Sequence, residues 1–263
     1  MFAGVSGLRT HQTMMDVIGD NIANVNSSGF KTSRTVFQDT LSQVVRDGAV
    51  ATGQGGAVNP QQVGLGVELN AIDKIMSQGA IQSTGRPSDL AIVGNGYFAL
   101  RLVDGTTAYT RSGSFTLDPE GRLVDPAGGL VLAPGGEPLQ IQAQNLRSFS
   151  ISRDGNVNIV TADGATSTAG KVGLAVFPNP AGLIKSGNGR LQWSVAASPA
   201  PPPVVDPATA GSGTLTAGAL EMSNVDLAQE FTNMIIAQRG FQANSKIIST
   251  SDEMLQEVVN IKR

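Results

Sequence analysis

The sequence contains no cysteine and a single histidine, His11. The lack of cysteine excludes a disulfide framework, cysteine-ligated zinc and thiol catalysis. One histidine without a Gly-x-Ser-x-Gly turn gives no basis for a serine–histidine catalytic relay. Charged residues make up only 15% of the chain, the net charge is −3, and no basic block favours nucleic acid or an anionic membrane. We therefore expect no enzyme activity, no cofactor, no metal and no nucleic-acid partner.

Long apolar runs and aromatic residues are also scarce. No apolar run approaches the ~18 residues that a membrane-spanning helix needs, so we expect no membrane insertion. The first residues, Met1 to Asn21, lack a basic region followed by an apolar core, so no secretory signal peptide is expected. Aromatic residues make up 5% of the chain, which leaves few of them to form a glycan-binding platform. A soluble binding module with helical arms nevertheless stays open as an alternative.

The last stretch, from Ser223 to Arg263, predicts one long amphipathic helix. Apolar residues recur every seven positions and no proline interrupts them. Ser223 or Asn224 is the expected N-cap, and Asp226 is placed to favour the first-turn N–H groups. A narrow apolar seam calls for a partner helix, although packing on the chain's own core remains an alternative. The predicted seam consists of Leu227, Phe231, Met234, Phe241, Ile248 and Leu255.

Residues 4 to 26 repeat the helical pattern at the other end of the chain. Gly4, Gly7 and Gly19 each weaken the helix by about 1 kcal/mol relative to alanine, so it should form only when packed. Matching seams at the two ends predict a coiled coil between the terminal helices. The N-terminal seam consists of Leu8, Met15, Ile18, Ile22 and Val25.

The middle of the chain predicts a β domain, because short apolar runs alternate with Asp-Gly and Gly-Asn-Gly turns at hairpin spacing. Before it, apolar residues between Thr32 and Val45 have helix-compatible spacing, and residues 49–59 read as an extended loop. Prolines after residue 198 predict an extended return segment. The expected class is α+β, divided into an N-terminal helix (1–30), a helix and linker (31–62), a mostly antiparallel β domain (63–197), the return segment (198–222) and a C-terminal helix (223–263).

Several motifs stand out along the chain. They are Asp16–Asn26 and Gly29–Lys31 near the start, Asp89–Ile92, Gly94–Phe98 and Tyr109–Gly113 in the middle, and Gly218–Leu227 near the end. In this order they resemble the flagellar rod and hook family, the axial proteins of the bacterial flagellum, over nearly the whole chain. The residues that carry the family motif are Asn21, Asn24, Gly29, Phe30, Ser223 and Asn224.

The resemblance implies a structural role. The terminal helices would form an inner coiled coil around an export channel, with the two seams as the assembly interface, and the β domain would form the outer wall of a helical tube. Ala219–Leu227, Val63–Val67 and Ser83–Pro87 are more similar to hook proteins than to distal rod proteins. We therefore expect a flagellar hook subunit, a flexible universal joint that passes torque to the filament. A distal rod protein, part of the rigid drive shaft of the basal body, is the alternative.

The same resemblance implies partners and a location. The partners are copies of the chain in a helical homopolymer, adjacent rod or hook–filament junction proteins, the hook cap during assembly and the flagellar type III export apparatus. The implied location is the hook or basal body of the bacterial flagellum, outside the cell after export without a cleaved signal peptide.

Overall fold

The structure is a computed structural model that describes residues 2–48, 59–141, 146–161 and 164–261. The chain divides into two compact units. The terminal unit comprises Met1–Ala23, Ser33–Lys74 and Asp226–Arg263, and the central unit comprises Asn24–Thr32 and Ile75–Val225. Within the described ranges, every pairing between strands is antiparallel. The predictions of helices near both ends and of a largely antiparallel β region between them are confirmed.

Over its described residues, the terminal unit contains two helices and four strands. A 22-residue helix opens it and a 35-residue helix, about 52 Å long at 1.5 Å per residue, closes it. Strand β1 pairs with β4, and β2 pairs with β3. The elements are α1 (Phe2–Ala23), β1 (Ser33–Asp39), β2 (Ser42–Arg46), β3 (Gln61–Gly64), β4 (Val67–Lys74) and α2 (Leu227–Ile261).

The prediction of a helix between Thr32 and Val45 is wrong, because β1 and β2 occupy this stretch. Strand β1 pairs with β4 along its whole length, from Ser33 opposite Lys74 to Asp39 opposite Val67. Short apolar runs fit both periods, and the β-branched and aromatic residues here favour the strand once a partner strand accepts its backbone hydrogen bonds. Most of the predicted loop at residues 49–59 lies outside the described residues.

Where the structure describes it, the central unit is built from short strands in several sheets and one 3₁₀ turn, Pro180–Gly182. Its strands are β5 (Ile81–Ser83), β6 (Leu90–Val93), β7 (Tyr97–Arg101), β8 (Thr107–Thr110), β9 (Thr116–Leu117), β10 (Leu123–Val124), β11 (Leu130–Val131), β12 (Leu146–Ile151), β13 (Asn156–Thr161), β14 (Thr166–Lys171), β15 (Leu174–Ala175), β16 (Ile184–Lys185), β17 (Arg190–Gln192), β18 (Val204–Val205), β19 (Thr214–Ala217) and β20 (Ala219–Glu221). A nine-stranded sheet centred on β7 is accompanied by the β12–β13–β14 meander and by the pairs β19–β6 and β20–β5.

Two buried clusters form the core of the central unit. In the larger one, the rings of Phe98 and Phe115 meet edge to face with their centroids 5.1 Å apart. In the second, Tyr97 and Tyr109 both pack edge to face on Phe177, at 5.7 and 4.8 Å. These aromatic contacts hold β7, β8 and the segment after β15 together.

The boundaries between the units differ from the predicted domains. Helix α1 ends at Ala23 and not near residue 30, and the segment Asn24–Thr32 belongs to the central unit. Strands β3 and β4 belong to the terminal unit, so the central unit resumes only at Ile75. The predicted return segment carries β18, β19 and β20, which pair with β15, β6 and β5, so it is an integral part of the sheets. Its prolines lie outside these strands, where a missing N–H costs no sheet hydrogen bond.

Candidate functional site

The two helices of the terminal unit pack against each other in antiparallel directions. A Cβ added to Gly4 would lie 3.6 Å from the side chain of Ile248, and one on Gly7 would lie 2.8 Å from the side-chain amide of Asn244. Further along, a Cβ on Gly240 would lie 2.5 Å from the ring of His11. As the residue number rises along α1, the residue that it contacts on α2 has a lower number, so the two helices are antiparallel. The glycines weaken the isolated helix, but they permit this close approach.

A buried polar junction joins the last turn of α1 to the first turn of α2. Asn21 is 1% exposed, and its amide donates to the backbone oxygen of Ser33 at 2.8 Å and to Oε1 of Glu230 at 3.2 Å. Its own oxygen accepts from the N–H of Ser33 at 3.0 Å. Burial raises the pKa of Glu230, the hydrogen bond from Asn21 opposes the rise, and the charge of Asp226 adds to it. Asn21 therefore fixes the start of β1 against both helices.

The predicted seam residues are divided between the helix pair and the surface. Ile18 is buried, whereas Leu227, Phe231 and Leu255 are exposed. Val25 lies beyond the end of α1, in the central unit, so it does not belong to the helix seam as predicted. The half-buried members are Leu8, Met15 and Ile22 on α1 and Met234, Phe241 and Ile248 on α2.

Helix α2 carries a second, exposed apolar row that the heptad pattern did not select. Its members are separated by 11, 7, 4 and 3 residues, which are close to whole turns of a 3.6-residue helix, so they share one side of α2. An exposed apolar row of this kind is typical of an interaction site. We call it the outer stripe; it consists of Ile236, Ile247, Met254, Val258 and Ile261, which are 55%, 50%, 68%, 64% and 84% exposed.

The terminal unit exposes further apolar side chains beside the β2–β3 pair. Leu41 is 88% exposed, Val45 63% and Val63 55%. Every residue of strand β2 is exposed, including Val44 at 47%. The helices and this strand pair therefore both offer apolar surface that the described unit does not cover.

The central unit holds a buried ion cluster of Lys31, Arg111 and Glu221, which we call the Glu221 cluster. The Glu221 side chain is fully buried, and its Oε2 accepts from Nε of Arg111 at 2.5 Å. Its Oε1 accepts from Nζ of Lys31 and, at 3.0 Å, from the backbone N–H of Gly79. The Glu221 backbone oxygen accepts from the N–H of Gly29 at 2.7 Å. Three motifs that are distant in sequence thereby meet at one carboxylate.

Charge and burial compete in the Glu221 cluster. Burial alone would raise the pKa of Glu221, but the charge of Arg111 and the hydrogen bonds from Lys31 and Gly79 outweigh it, so the pKa lies below its ordinary value. Burial lowers the pKa of Lys31, against the opposing effect of Glu221. One carboxylate shared by two cations stays ionised, because its protonation would leave both cations buried without a counter-charge.

The other motif residues make local contacts of several kinds. Asn224 does not cap α2 as predicted; its oxygen accepts from the N–H of Thr32 at 2.8 Å and its amide donates to the backbone oxygen of Ile75 at 2.9 Å. Ser223 is not the cap either, since its hydroxyl accepts from the N–H of Val225 at 3.3 Å. Helix α2 begins at Leu227, so the residue before it is the cap, and Asp226 accepts from the N–H of Ala228 at 2.9 Å.

The turn that follows α1 accounts for three more motif residues. Asn24 accepts from the hydroxyl of Ser27 at 3.1 Å. Gly29 has a φ of 69°, and a Cβ there would lie 2.6 Å from the backbone nitrogen of Ser112, so glycine is required on both counts. The ammonium group of Lys185 lies 4.8 Å from the centre of the half-buried Phe30 ring. These contacts hold the turn within the central unit.

Neither a metal site nor a membrane-spanning helix was found in the part of the chain that the structure describes. There, no three His, Asp or Glu side chains are placed to hold a metal ion. Across the same residues, neither helix combines the length and apolar character needed to cross a membrane.

Family models and relatives agree with the motifs in the sequence. Residues 1–31 match the model "Flagella basal body rod protein", residues 91–165 match "Flagellar hook protein FlgE/F/G D1 domain", and residues 216–261 match "Flagellar basal body rod FlgEFG protein C-terminal". The chain is 50% identical over 263 residues to the flagellar basal-body rod protein FlgG of Bacillus subtilis, which covers 100% of this chain and 98% of the relative. The chain belongs to the flagellar rod and hook protein family.

Comparison with a rod protein and a hook protein of one organism bears on the choice between the two assignments. The chain is 37% identical over 265 residues to the rod protein FlgG of Borreliella burgdorferi, covering 100% of the chain and 98% of the relative. It is 28% identical to the hook protein FlgE of the same organism, in an alignment of 441 residues that covers 100% and 99% of the two chains. The expectation of a hook subunit therefore fits less well than the rod alternative, both in identity and in chain length.

Proposed function

We propose that the chain is a structural subunit of the distal rod of the bacterial flagellum, which assembles with copies of itself into a stiff tube that transmits torque. The observation that carries this proposal is the 50% identity, over essentially the full length of both chains, to a protein named as a rod protein. The lower identity to a hook protein from an organism whose rod protein is also similar supports the same choice.

In this proposal the terminal unit makes the contacts between subunits. Helices α1 and α2 form an inner coiled coil, and the outer stripe of α2 binds the helices of neighbouring copies. Ile248 and Asn244 lie on the side of α2 that meets α1. A Cβ on Gly4 would also lie 3.7 Å from the side chain of Ile247, so the outer stripe borders that side while its members stay at least 50% exposed. Full burial of an aliphatic side chain stabilises by about 1.5–3 kcal/mol, so covering five half-exposed ones contributes several kcal/mol per contact.

The seam residues keep a role in the same assembly. The exposed ones, Leu227, Phe231 and Leu255, lie on parts of α2 that offer apolar surface to another copy. The half-buried ones stabilise the helix pair that presents this surface. Export through the flagellar type III apparatus and contacts with adjacent axial proteins complete the proposal, and both rest on family membership alone.

The test is a pair of charge substitutions on opposite sides of α2. Val258→Glu places a carboxylate in the outer stripe, whereas Gln242→Glu adds the same charge 16 residues away, about 4.4 turns, on the other side of the exposed helix. Burying an unpaired charge costs several kcal/mol, so the critical concentration for polymerisation of Val258→Glu should rise roughly a hundredfold or more. Sedimentation and electron microscopy measure this, and circular dichroism verifies that both variants keep their helices.

Two results would contradict the proposed contacts. If Val258→Glu polymerised like the unmodified chain, the outer stripe would not be part of the interface. If Gln242→Glu blocked assembly to the same degree, the effect would arise from added charge and not from the apolar surface.

A further inference from the structure

The central unit contains a cavity of about 310 Å³ beside the Glu221 cluster. Its walls combine two kinds of side chain. Lys31, Arg111 and Tyr97 contribute polar atoms, and they are only 9%, 7% and 5% exposed. Phe177 and Met76 contribute apolar surface. The turn Gly94–Asn95–Gly96 also lines the cavity, with Asn95 exposed to solvent.

The cationic groups retain hydrogen-bond donors that the described residues do not use. Lys31 has three N–H donors, of which one meets Glu221 and one meets the backbone oxygen of Ser77 at 2.8 Å. Arg111 has five, and the described acceptors account for four, namely Glu221 and the backbone oxygens of Gly96, Ile92 and Gly94. Each cation therefore has one N–H without an acceptor among the described residues.

The Tyr97 hydroxyl is a third donor available to a ligand. It donates to Sδ of Met76 at 3.5 Å, and a thioether is a weak acceptor that an anionic oxygen would displace. Burial raises the pKa of Tyr97, so the phenol keeps its proton at neutral pH. Two cations against the single carboxylate of Glu221 leave one net positive charge at the cavity wall.

We propose that this cavity binds a carboxylate that carries a small apolar group. The carboxylate oxygens accept from Lys31, Arg111 and Tyr97, and the apolar group packs on Phe177 and Met76. A planar carboxylate suits these donors because charge-assisted hydrogen bonds are about twice as strong as neutral ones, and the apolar wall disfavours a fully hydrated inorganic anion. The binding site does not depend on the proposed assembly of the chain.

The test compares phenylacetate with its uncharged analogue phenylacetamide, using the full chain and ligand-observed NMR or calorimetry. Phenylacetate should bind with a dissociation constant on the order of 1 mM, as expected for a ligand of its size, and phenylacetamide about tenfold more weakly. Tyr97→Phe removes one donor without changing the packing volume, and should weaken phenylacetate binding by about three- to tenfold. Saturable binding with no preference for the charged ligand would overturn the proposal, as would no binding of either ligand.

A matched pair of variants tests the position of the site. Asn95→Asp puts a negative charge in the Gly94–Asn95–Gly96 turn at the cavity, whereas Asn188→Asp makes the same change in the exposed Gly187–Asn188–Gly189 turn, which does not line it. Phenylacetate binding should weaken about fivefold or more in the first variant and stay unchanged in the second. Equal effects in both variants would overturn the assignment.

Sedimentation of the chain with saturating phenylacetate identifies the source of the natural carboxylate. If the ligand weakens self-association and phenylacetamide does not, the occupant is an acidic or terminal carboxylate of a second copy. If self-association is unchanged while the ligand binds, the occupant is a free organic acid. Only the sedimentation experiment rests on the proposed assembly. If the chain does not assemble, the ligand titration still tests the binding site.

Discussion

Replacing Glu221 with glutamine should destabilise the central unit by about 3 kcal/mol, because Lys31 and Arg111 would then be buried without a counter-charge. Breaking a buried ion pair from one side costs about 3–5 kcal/mol. The lower end applies here, since the glutamine oxygen can still accept from the N–H of Gly79. For a unit of this size the melting temperature should fall by roughly 6–12 °C.

Urea unfolding followed by tryptophan fluorescence is the appropriate assay, because the single tryptophan, Trp193, lies in the central unit. Its indole N–H donates to the hydroxyl of Ser198 at 3.0 Å, an interaction that unfolding removes. Glu120→Gln is the matched control, since the Glu120 side chain is 61% exposed and its ion pair with Arg122 lies at the surface. The control should leave the unfolding midpoint unchanged.

The effect of Glu221→Gln should also depend on pH. The native pKa of Glu221 lies below its ordinary value of 4.5, so the stability that its charge contributes is fully present above that value and is lost as the pH falls through the native pKa. The difference between the two proteins should therefore be largest near neutral pH and shrink in acid. An equal stability at neutral pH, or a difference that does not change in acid, would refute the reasoning.

Three further substitutions in the terminal unit should change its stability, one lowering it and two raising it. Burial raises the pKa of Glu230, so the stability linked to its protonated form is present below pH 4.5 and lost as the pH rises through the native pKa. Glu230→Gln should therefore stabilise the unit at neutral pH and not in acid. Thermal melts at a series of pH values measure this difference. Gly7→Ala should destabilise by roughly 1 kcal/mol, because crowding of about 1–3 kcal/mol against Asn244 exceeds the gain in helix propensity. Gly19→Ala, whose Cβ would meet nothing within 4 Å, should stabilise by about 0.5–1 kcal/mol. A loss of stability in this variant would contradict the open space beside Gly19.

The terminal helices were predictable because they are long and strongly periodic. The stretch between Thr32 and Val45 was not, since its short apolar run fits a helix as well as a strand until the partner strand β4 is known. The packing of the polar residue Asn244 could not be predicted from the spacing of the apolar residues. In the structure this residue packs against Gly7 and donates to the backbone oxygen of Gly240 at 2.9 Å, so a polar side chain lies between the two helices.

The Glu221 cluster was missed because its members are far apart in sequence. Glu221 is separated by 190 residues from Lys31 and by 110 from Arg111, and only the folded topology brings them together. A signal was present, since each of the three lies within one of the family-like motifs and their charges are complementary. The outer stripe was missed for a different reason. Ile247, Met254 and Ile261 are also seven residues apart, but toward the start of α2 their register falls on Gly240 and Asn233, whereas the register of the predicted seam is apolar from Leu227 to Leu255.

The choice between rod and hook does not follow from local patterns of apolar and polar residues. Both kinds of protein share the terminal motifs, and identity over the full chain length separates them. The local sequences Val63–Val67 and Ser83–Pro87 favoured the hook, whereas the alignment over the whole chain favours the rod.

Electron microscopy of the polymer formed by the purified full chain tests the central claim most directly. A distal rod subunit should form straight tubes whose axis stays straight over many subunit repeats. Curved or flexible tubes would contradict the rod assignment in favour of a hook, and a chain that stayed monomeric under all polymerising conditions would contradict self-assembly itself.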